Sequence, residues 1–270
     1  MNVSYLGPKG TFSEIAVARY FSNNINKLPK SSIEDVFKSV QESEVDYGIV
    51  PIENSVEGSV NNTLDLLSDS KVLITGEIEL IINQCLLSQE KNIRSVTRIF
   101  GHPQSLAQCK NWILSNIPHA ELITVISNTE GALSLKKPGD ACIGAEVIAE
   151  YYSLNINEKN IQDYSNNATR FLVIGNAVST ATGSDKTSLL ITPPNTGDSG
   201  SLYNLLEPFA KNEINLSHIE SRPSKVKNWN YVFFIDIDGH VEDKNIQETI
   251  EALKERGVEV KFLGSYPKDQ

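Results

Sequence analysis

Short apolar runs alternate along the chain with longer segments whose apolar residues recur every three to four positions. The runs predict buried strands and the periodic segments predict amphipathic helices. Asn2–Leu6 reads as a strand, followed by a helix capped by Thr11 or Ser13 with Ile15, Ala18 and Phe21 facing inward. Ser31-x-x-Glu34 has the form of a capping box and opens a helix through Val36, Phe37 and Val40. Residues 47–52 predict a strand, and a helix from about Ser59 places Val60, Leu64 and Leu67 on one face. Residues 72–87 form a β-rich run with little turn signal, read as one long strand crossing between two lobes. The rhythm then resumes: a strand at Arg98–Gly101, a helix over 104–116, a strand over 122–126 and a helix capped by Asn128 or Thr129 running to Lys136. A strand over 141–144, a helix at Glu146–Tyr152 and closing strands over 161–164 and 171–174 complete this part. Such alternation predicts parallel α/β sheets, grouped before and after Val72 into two lobes with a cleft between them.

Beyond this point the pattern changes. Residues 175–185 are small, polar and aperiodic, and read as a linker. Strand, helix, strand, strand, helix and strand follow at 186–192, 201–212, 214–220, 231–238, 243–256 and 258–266. That βαββαβ order is the ferredoxin-like split arrangement, a small sheet that commonly pairs with a copy of itself.

Charge narrows the partners. The 270 residues carry 24 Lys and Arg against 34 Asp and Glu, a formal net charge of −10. A nucleic-acid partner would need a basic face, so none is expected. An anionic substrate must be held by a local positive site, because the global field repels it. Cys85, Cys109 and Cys142 lie far apart in apolar surroundings without CxxC spacing, which predicts reduced core thiols and no metal site. The chain runs from Met1 directly into a strand, without the regions of a signal peptide, and the greasiest stretch is too short to span a membrane. A cytoplasmic protein without membrane contact is expected.

Three polar clusters follow predicted strands, where open α/β sheets bind ligands. Asn54, Ser55 and Ser59 follow the strand over 47–52; they would cap a helix or help form an anion site. His102, Ser105 and Gln108 follow the strand at Arg98–Gly101, with Ser105 and Gln108 on one helix face. There, capping and a solvated surface are the plain alternatives. Asn166 to Phe171 lead into the last strand of the two-lobed part, with Thr169 and Phe171 on one side and Arg170 on the other. Arg170 is the best local cation for a carboxylate, unless it pairs with Glu53 or another acid. A fourth segment, residues 7–13, places two glycines and Lys9 before a helix start and reads as a second anion-accepting helix start, with a plain strand-to-helix turn as the alternative. No Ser/His/Asp set, HExxH motif or dinucleotide fingerprint appears. Any catalysis must rest on hydroxyls, amides, carboxylates and an arginine, which suits positioning and hydrogen-bond donation.

GPKGTFS at 7–13, PIENSVEGSVNNTLD at 51–65, HPQSLAQC at 102–109 and NATRF at 167–171 together resemble prephenate dehydratase. Gly200-Ser201-Leu202 and Glu220-Ser221-Arg222-Pro223 resemble the ACT regulatory domain of that family, with Ser201 where the family usually has alanine. The resemblance implies an α/β fold with a two-lobed, type II periplasmic-binding-protein-like catalytic domain and a ferredoxin-like ACT domain. It places the catalytic domain at residues 1–178, with lobes at about 1–76 plus 160–178 and at 77–159, then a linker at 179–185 and the ACT domain at 186–270. The monofunctional type is expected, without a chorismate mutase segment before Asn2. The implied reaction converts prephenate to phenylpyruvate, water and CO2 without a cofactor. Thr169 is the residue implied in catalysis, donating a hydrogen bond to the leaving hydroxyl, and Glu53 is the candidate proton source behind it. Thr11, Asn54, Ser55, Ser105, Gln108, Arg170 and Phe171 are the expected substrate-binding residues. The resemblance also implies phenylalanine bound between two ACT domains of a homodimer or homotetramer, at Gly200, Ser201, Leu202, Asn215, Glu220, Ser221, Arg222 and Pro223. An arogenate dehydratase and a cytoplasmic small-anion binding protein are the alternatives.

Overall fold

The structure, a computed structural model, describes residues 1–21, 24–194, 199–224 and 231–269. β1 (Asn2–Leu6), α1 (Phe12–Tyr20), β2 (Asn26–Lys30), α2 (Ile33–Gln41) and β3 (Tyr47–Asn54) open the chain. β3 turns back through β4 (Gly58–Ser59), with Asn54 opposite Gly58, before α3 (Asn61–Asp69) begins. The helix expected from about Ser59 therefore starts behind a hairpin. The long run over 72–87 is not one strand: β5 (Leu73–Ile81) lies in the first sheet and β6 (Cys85–Ser88) in the second.

β7 (Arg98–Gly101), α4 (Pro103–Gln108), α5 (Lys110–Asn116), β8 (Glu121–Thr124), α6 (Asn128–Leu133), β9 (Asp140–Gly144), α7 (Glu146–Tyr152) and β10 (Asn155–Glu158) follow. The single helix expected over 104–116 breaks at Cys109. Asp163 caps the second piece, its carboxylate accepting from the N–H groups of Asn111 and Trp112 at 3.0 and 3.1 Å. Residues 161–164 are consequently a capping loop rather than the expected strand, and β10 takes the sheet edge instead. β11 (Ala168–Gly175), β12 (Asp185–Thr192), α8 (Ser201–Lys211), β13 (Leu216–Pro223), β14 (Tyr231–Asp238), α9 (Lys244–Glu255) and β15 (Glu259–Pro267) complete the fold.

The first sheet has the order β2-β1-β3-β11-β5 with β4 on β3, the second β10-β6-β9-β7-β8, and the third β13-β14-β12-β15. The second is mixed rather than parallel: β7 runs parallel to β8 and β9, whereas β6 is antiparallel to β9 and β10. Helix crossovers make parallel neighbours, but β6 enters straight from β5 without one. Leu86, Ile99 and Ile143 pack in one cluster and their neighbours Leu87, Phe100 and Cys142 in another, so both faces of this sheet are covered. The third sheet is the expected antiparallel βαββαβ arrangement, with one core cluster under α8 and α9.

Two helix details differ from the expected pattern. α1 buries Ser13, Glu14, Ala16 and Val17, not Ile15, Ala18 and Phe21. Glu14 is drawn inward because its carboxylate accepts from Gly10 N–H at 2.6 Å and Tyr151 O–H at 3.0 Å. The α2 cap is Ser32, which accepts from Asp35 N–H at 3.0 Å, one residue after the expected box. Cys85, Cys109 and Cys142 are free and buried, and burial pushes the thiols of Cys109 and Cys142 up to about 12. Among the described residues no helix is long and apolar enough to cross a membrane.

The chain divides into two compact units. The first holds Met1–Val36, Ile49–Val60 and Glu79–Phe171; the second holds Phe37–Gly48, Asn61–Ile78 and Leu172–Gln270. In the first, Asp140 anchors the start of β9. Its carboxylate accepts from Lys136 and Lys137 N–H at 3.0 and 2.9 Å and from Arg98 Nε at 2.8 Å. Burial raises its pKa, but the two backbone donors and the guanidinium outweigh burial and hold it below the usual carboxylate range. Asp140→Ala is expected to cost about 2–3 kcal/mol in urea denaturation near neutral pH. A group with a depressed folded-state pKa stabilises above its unfolded value, about 4, and loses that contribution as pH falls through the folded value. The difference between wild type and variant should therefore shrink in acid.

Candidate active site

A cavity of about 270 Å³ lies within the first unit, walled by four polar strand ends. The first wall is the turn after β1. Gly10 has φ +92°, and an added Cβ there would stand 3.1 Å from both Thr129 Oγ1 and Ile148 Cγ1, so glycine suits both torsion and space. Lys9 carbonyl accepts from Thr129 Oγ1 at 2.8 Å, while its ammonium sits 4.1 Å from the centre of the Tyr151 ring. Thr11 occupies the N-cap position of α1, yet its hydroxyl donates to Leu6 carbonyl at 3.0 Å instead of capping. Gly10 N–H is taken by Glu14, which narrows the anion site expected at this helix start. Thr11, Phe12 and Ser13 line the cavity.

The second wall is the end of β3. Asn54 Oδ1 accepts from the N–H groups of Val56 and Glu57 at 3.0 and 3.1 Å. These donors, expected to face an anion, are used by the turn itself. Asn54 Nδ2 donates to Asn167 Oδ1 at 2.8 Å, Thr169 Oγ1 at 2.9 Å and Ala168 carbonyl at 3.1 Å.

The third wall joins β7, α4 and α6. Ser127 caps α6, accepting from Glu130 N–H at 3.1 Å, so neither Asn128 nor Thr129 is the cap. Asn128 is freed for the site: Oδ1 accepts from His102 N–H at 2.9 Å and Nδ2 donates to Ser105 Oγ at 2.8 Å. Gln84 Nε2 also donates to Ser105 Oγ at 3.2 Å. His102 Nδ1 accepts from Gln104 N–H at 3.3 Å, which leaves Nε2 to carry the proton of a neutral ring. His102, Ser105, Gln108 and Gln84 all line the cavity.

β11 supplies the fourth wall through Thr169 and Phe171. Arg170, between them on the strand, does not line the cavity. Of the expected site residues, Thr11, Asn54, Ser105, Gln108, Thr169 and Phe171 come together here, and Glu53, Ser55 and Arg170 stay off the wall. Ser55 instead ties β3 to β11, its hydroxyl accepting from Ala168 N–H at 2.9 Å and donating to Asn166 carbonyl at 3.1 Å. Among the described residues no Lys or Arg lines the cavity, so an anion there meets N–H and O–H dipoles of these residues rather than the expected cation. Gln84 and Asn128 line the cavity but were not legible as site residues. Only Asn128 had a signal, since Ser127-x-x-Glu130 is itself a capping-box pattern.

The Thr169 and Ser105 hydroxyls on the wall are set as donors to the cavity. A hydroxyl has one hydrogen and two lone pairs. Thr169 Oγ1 already accepts from Asn54, and Ser105 Oγ accepts from Asn128 and Gln84.

In the second unit, Gly200 is the N-cap residue of α8 with φ +82°, and Leu202 is exposed. Ser201 lines a cavity of about 460 Å³ with Pro194 and Arg256. Asn215 Nδ2 donates to Asp238 at 3.0 Å. Glu220 to Pro223 end β13, an edge strand. Arg222 donates to Asn61 Oδ1 at 2.8 Å and Asp65 Oδ1 at 3.2 Å, and lines a separate cavity with Pro223 and Lys261.

Residues 3–179 match the family model of prephenate dehydratase, and residues 198–255 match that of the ACT domain. The bifunctional chorismate mutase/prephenate dehydratase of Aquifex aeolicus is 44% identical over 99% of this chain and 74% of that protein. The prephenate dehydratase of Methanocaldococcus jannaschii is 37% identical over 98% of this chain and 97% of its own length. The solved structure of prephenate dehydratase from Arthrobacter aurescens in complex with L-Phe superposes with a TM-score of 0.90 at 32% identity, covering 99% of this chain and 90% of that one. With its four-walled cavity and these matches across nearly its whole length, the chain belongs to the prephenate dehydratase family.

Proposed function

We propose that the cavity of the first unit converts prephenate to phenylpyruvate, water and CO2, with the Thr169 hydroxyl donating to the departing oxygen. The observation that carries this reading is the Asn54 Nδ2 contact at 2.9 Å, which occupies Thr169 Oγ1 as an acceptor and leaves its O–H for the cavity. Prephenate has two carboxylates and a ring hydroxyl. As the ring carboxylate leaves as CO2, its bonding electron pair enters the ring and expels the hydroxyl oxygen, which takes one proton from solvent and leaves as water. The new aromatic ring supplies the driving force, so the protein need only hold the carboxylates and assist the leaving oxygen. Threonine is too weak an acid to protonate it outright near neutral pH; it acts as a hydrogen-bond donor to developing charge. Ser105 O–H, His102 Nε2–H and the first N–H groups of α1 suit the carboxylates, and Gln108 and Phe171 orient the ring. Residues 1–178 form the catalytic domain of this reading and 186–270 the regulatory one.

L-Phenylalanine is the proposed effector, bound by Gly200 to Leu202 of one copy and Glu220 to Pro223 of another in a homodimer or homotetramer. Ser201 and Arg222 line different cavities within one chain, which suits a site completed by a second copy. Prephenate and arogenate should be compared side by side, each with and without L-phenylalanine. The expected result is a higher kcat/KM for prephenate and a change in its saturation curve of about 5–150-fold in affinity with the amino acid. Preference for arogenate would overturn the substrate, and an unchanged curve would overturn the effector.

A further inference from the structure

Four side chains beneath Thr169 form a closed circuit. Backbone N–H groups only donate, so the atom of Asn54 that faces Val56 and Glu57 N–H is its carbonyl oxygen. Asn54 Nδ2 must then point at Asn167 and Thr169. Asn167 therefore presents Oδ1 to Asn54 at 2.8 Å and Nδ2 to Gln108 Oε1 at 3.1 Å. Gln108 in turn presents Nε2 to Glu57 Oε1 at 3.1 Å. The circuit begins on the backbone of Glu57 and ends on its carboxylate, with every hydrogen bond running the same way. Asn167 is 1% exposed and does not line the cavity, and Glu57 is exposed and off the wall. Neither has a place in the chemistry proposed above except through this circuit.

We propose that Glu57 and Asn167 are positioning residues, which close a one-way hydrogen-bond ring with Asn54 and Gln108 and so hold the Thr169 hydroxyl as a donor to the cavity. The proposal rests on the donor role given to Thr169. A carboxylate accepts without donating, so it fixes the direction in which Gln108 points. That direction fixes Asn167, and Asn167 shares Asn54 Nδ2 with Thr169. The ring also joins three chain segments: the β3–β4 turn, the end of α4 and the lead into β11.

Glu57→Ala opens the ring at an exposed position, where folding is not at risk. It is expected to lower kcat/KM about tenfold, the size of one lost hydrogen bond in a coupled network. Glu57→Gln keeps an oxygen acceptor and should recover to within about threefold of wild type. In a Gln108→Ala background the ring is already open, so Glu57→Ala should add less than about twofold. Asn167→Ala opens the ring from its buried side and should lower kcat at least as far as Glu57→Ala; if it fails to fold, the Glu57 variants decide. Unchanged kcat/KM in Glu57→Ala, no recovery in Glu57→Gln, or an undiminished effect in the Gln108→Ala background would each overturn the ring. Thr169→Ala assayed alongside separates the two readings. If it retains wild-type turnover, the donor role fails; if it is inactive while Glu57→Ala is normal, only the ring fails.

Discussion

Thr169→Ala is expected to lower kcat for prephenate about 10²–10⁴-fold, the range of a lost proton-side contribution to a leaving group, with KM little changed. The interaction being removed strengthens as charge develops on the departing oxygen, so its loss falls on the chemical step rather than on binding. The fold should survive, because Asn54 Nδ2 retains Asn167 Oδ1 and Ala168 carbonyl as acceptors. Thr169→Val matches the shape without the hydroxyl and should be as poor as alanine. Thr169→Ser keeps the hydroxyl and should recover most of the rate. Steady-state kinetics on the three purified variants check this. Turnover near wild type in the valine variant would take Thr169 out of the chemistry.

A chain ending at Ser184 is expected to lose stability, not merely regulation. The second unit draws on residues 61–78 as well as on everything after 172. Lys186 Nζ holds both carboxylate oxygens of Glu77, at 2.7 and 2.8 Å, and the Glu77 side chain is only 6% exposed. Removing one partner of a buried pair costs about 3–5 kcal/mol. Lys261 Nζ donates to the carbonyls of Leu67, Ser68 and Ser70 at 2.9, 2.6 and 2.7 Å, satisfying the C-terminal end of α3. At Gly264 the two strands approach so closely that an added Cβ would lie 2.1 Å from Ile74 carbonyl oxygen. Losing these contacts together should lower Tm by more than about 10 °C, at about 2–4 °C per kcal/mol. Calorimetry of the shortened chain checks it, and a cooperative transition at the wild-type Tm would show that residues after 184 are dispensable to the fold.

Much of the fold was legible because its signals are local. Strands such as Arg98–Gly101 and helices such as Glu146–Tyr152 are bounded by their own apolar periodicity. The errors arose where a distant partner decided. Asp163 caps α5 across some fifty residues, turning an apolar run into a loop, and Glu14 rotates α1 toward Tyr151 on α7. The site divides in the same way. Asn54, Ser105, Gln108, Thr169 and Phe171 stand at polar strand ends and in family-like motifs, and the cavity gathers them. Arg170 and Glu53 looked suitable by residue type, yet neither lines the cavity beside neighbours that do. Glu57 carries no signal of its own in the sequence, because the hairpin that carries it to Gln108 leaves no periodic trace.

The most direct test of the cavity as a dehydratase site is to incubate the intact protein at micromolar concentration with prephenate and follow phenylpyruvate by its alkaline absorbance. Enzyme-dependent phenylpyruvate, formed in step with CO2 and nearly abolished in Thr169→Val, is the predicted result. No phenylpyruvate from the wild-type protein, or equal rates from the wild type and Thr169→Val, would contradict it.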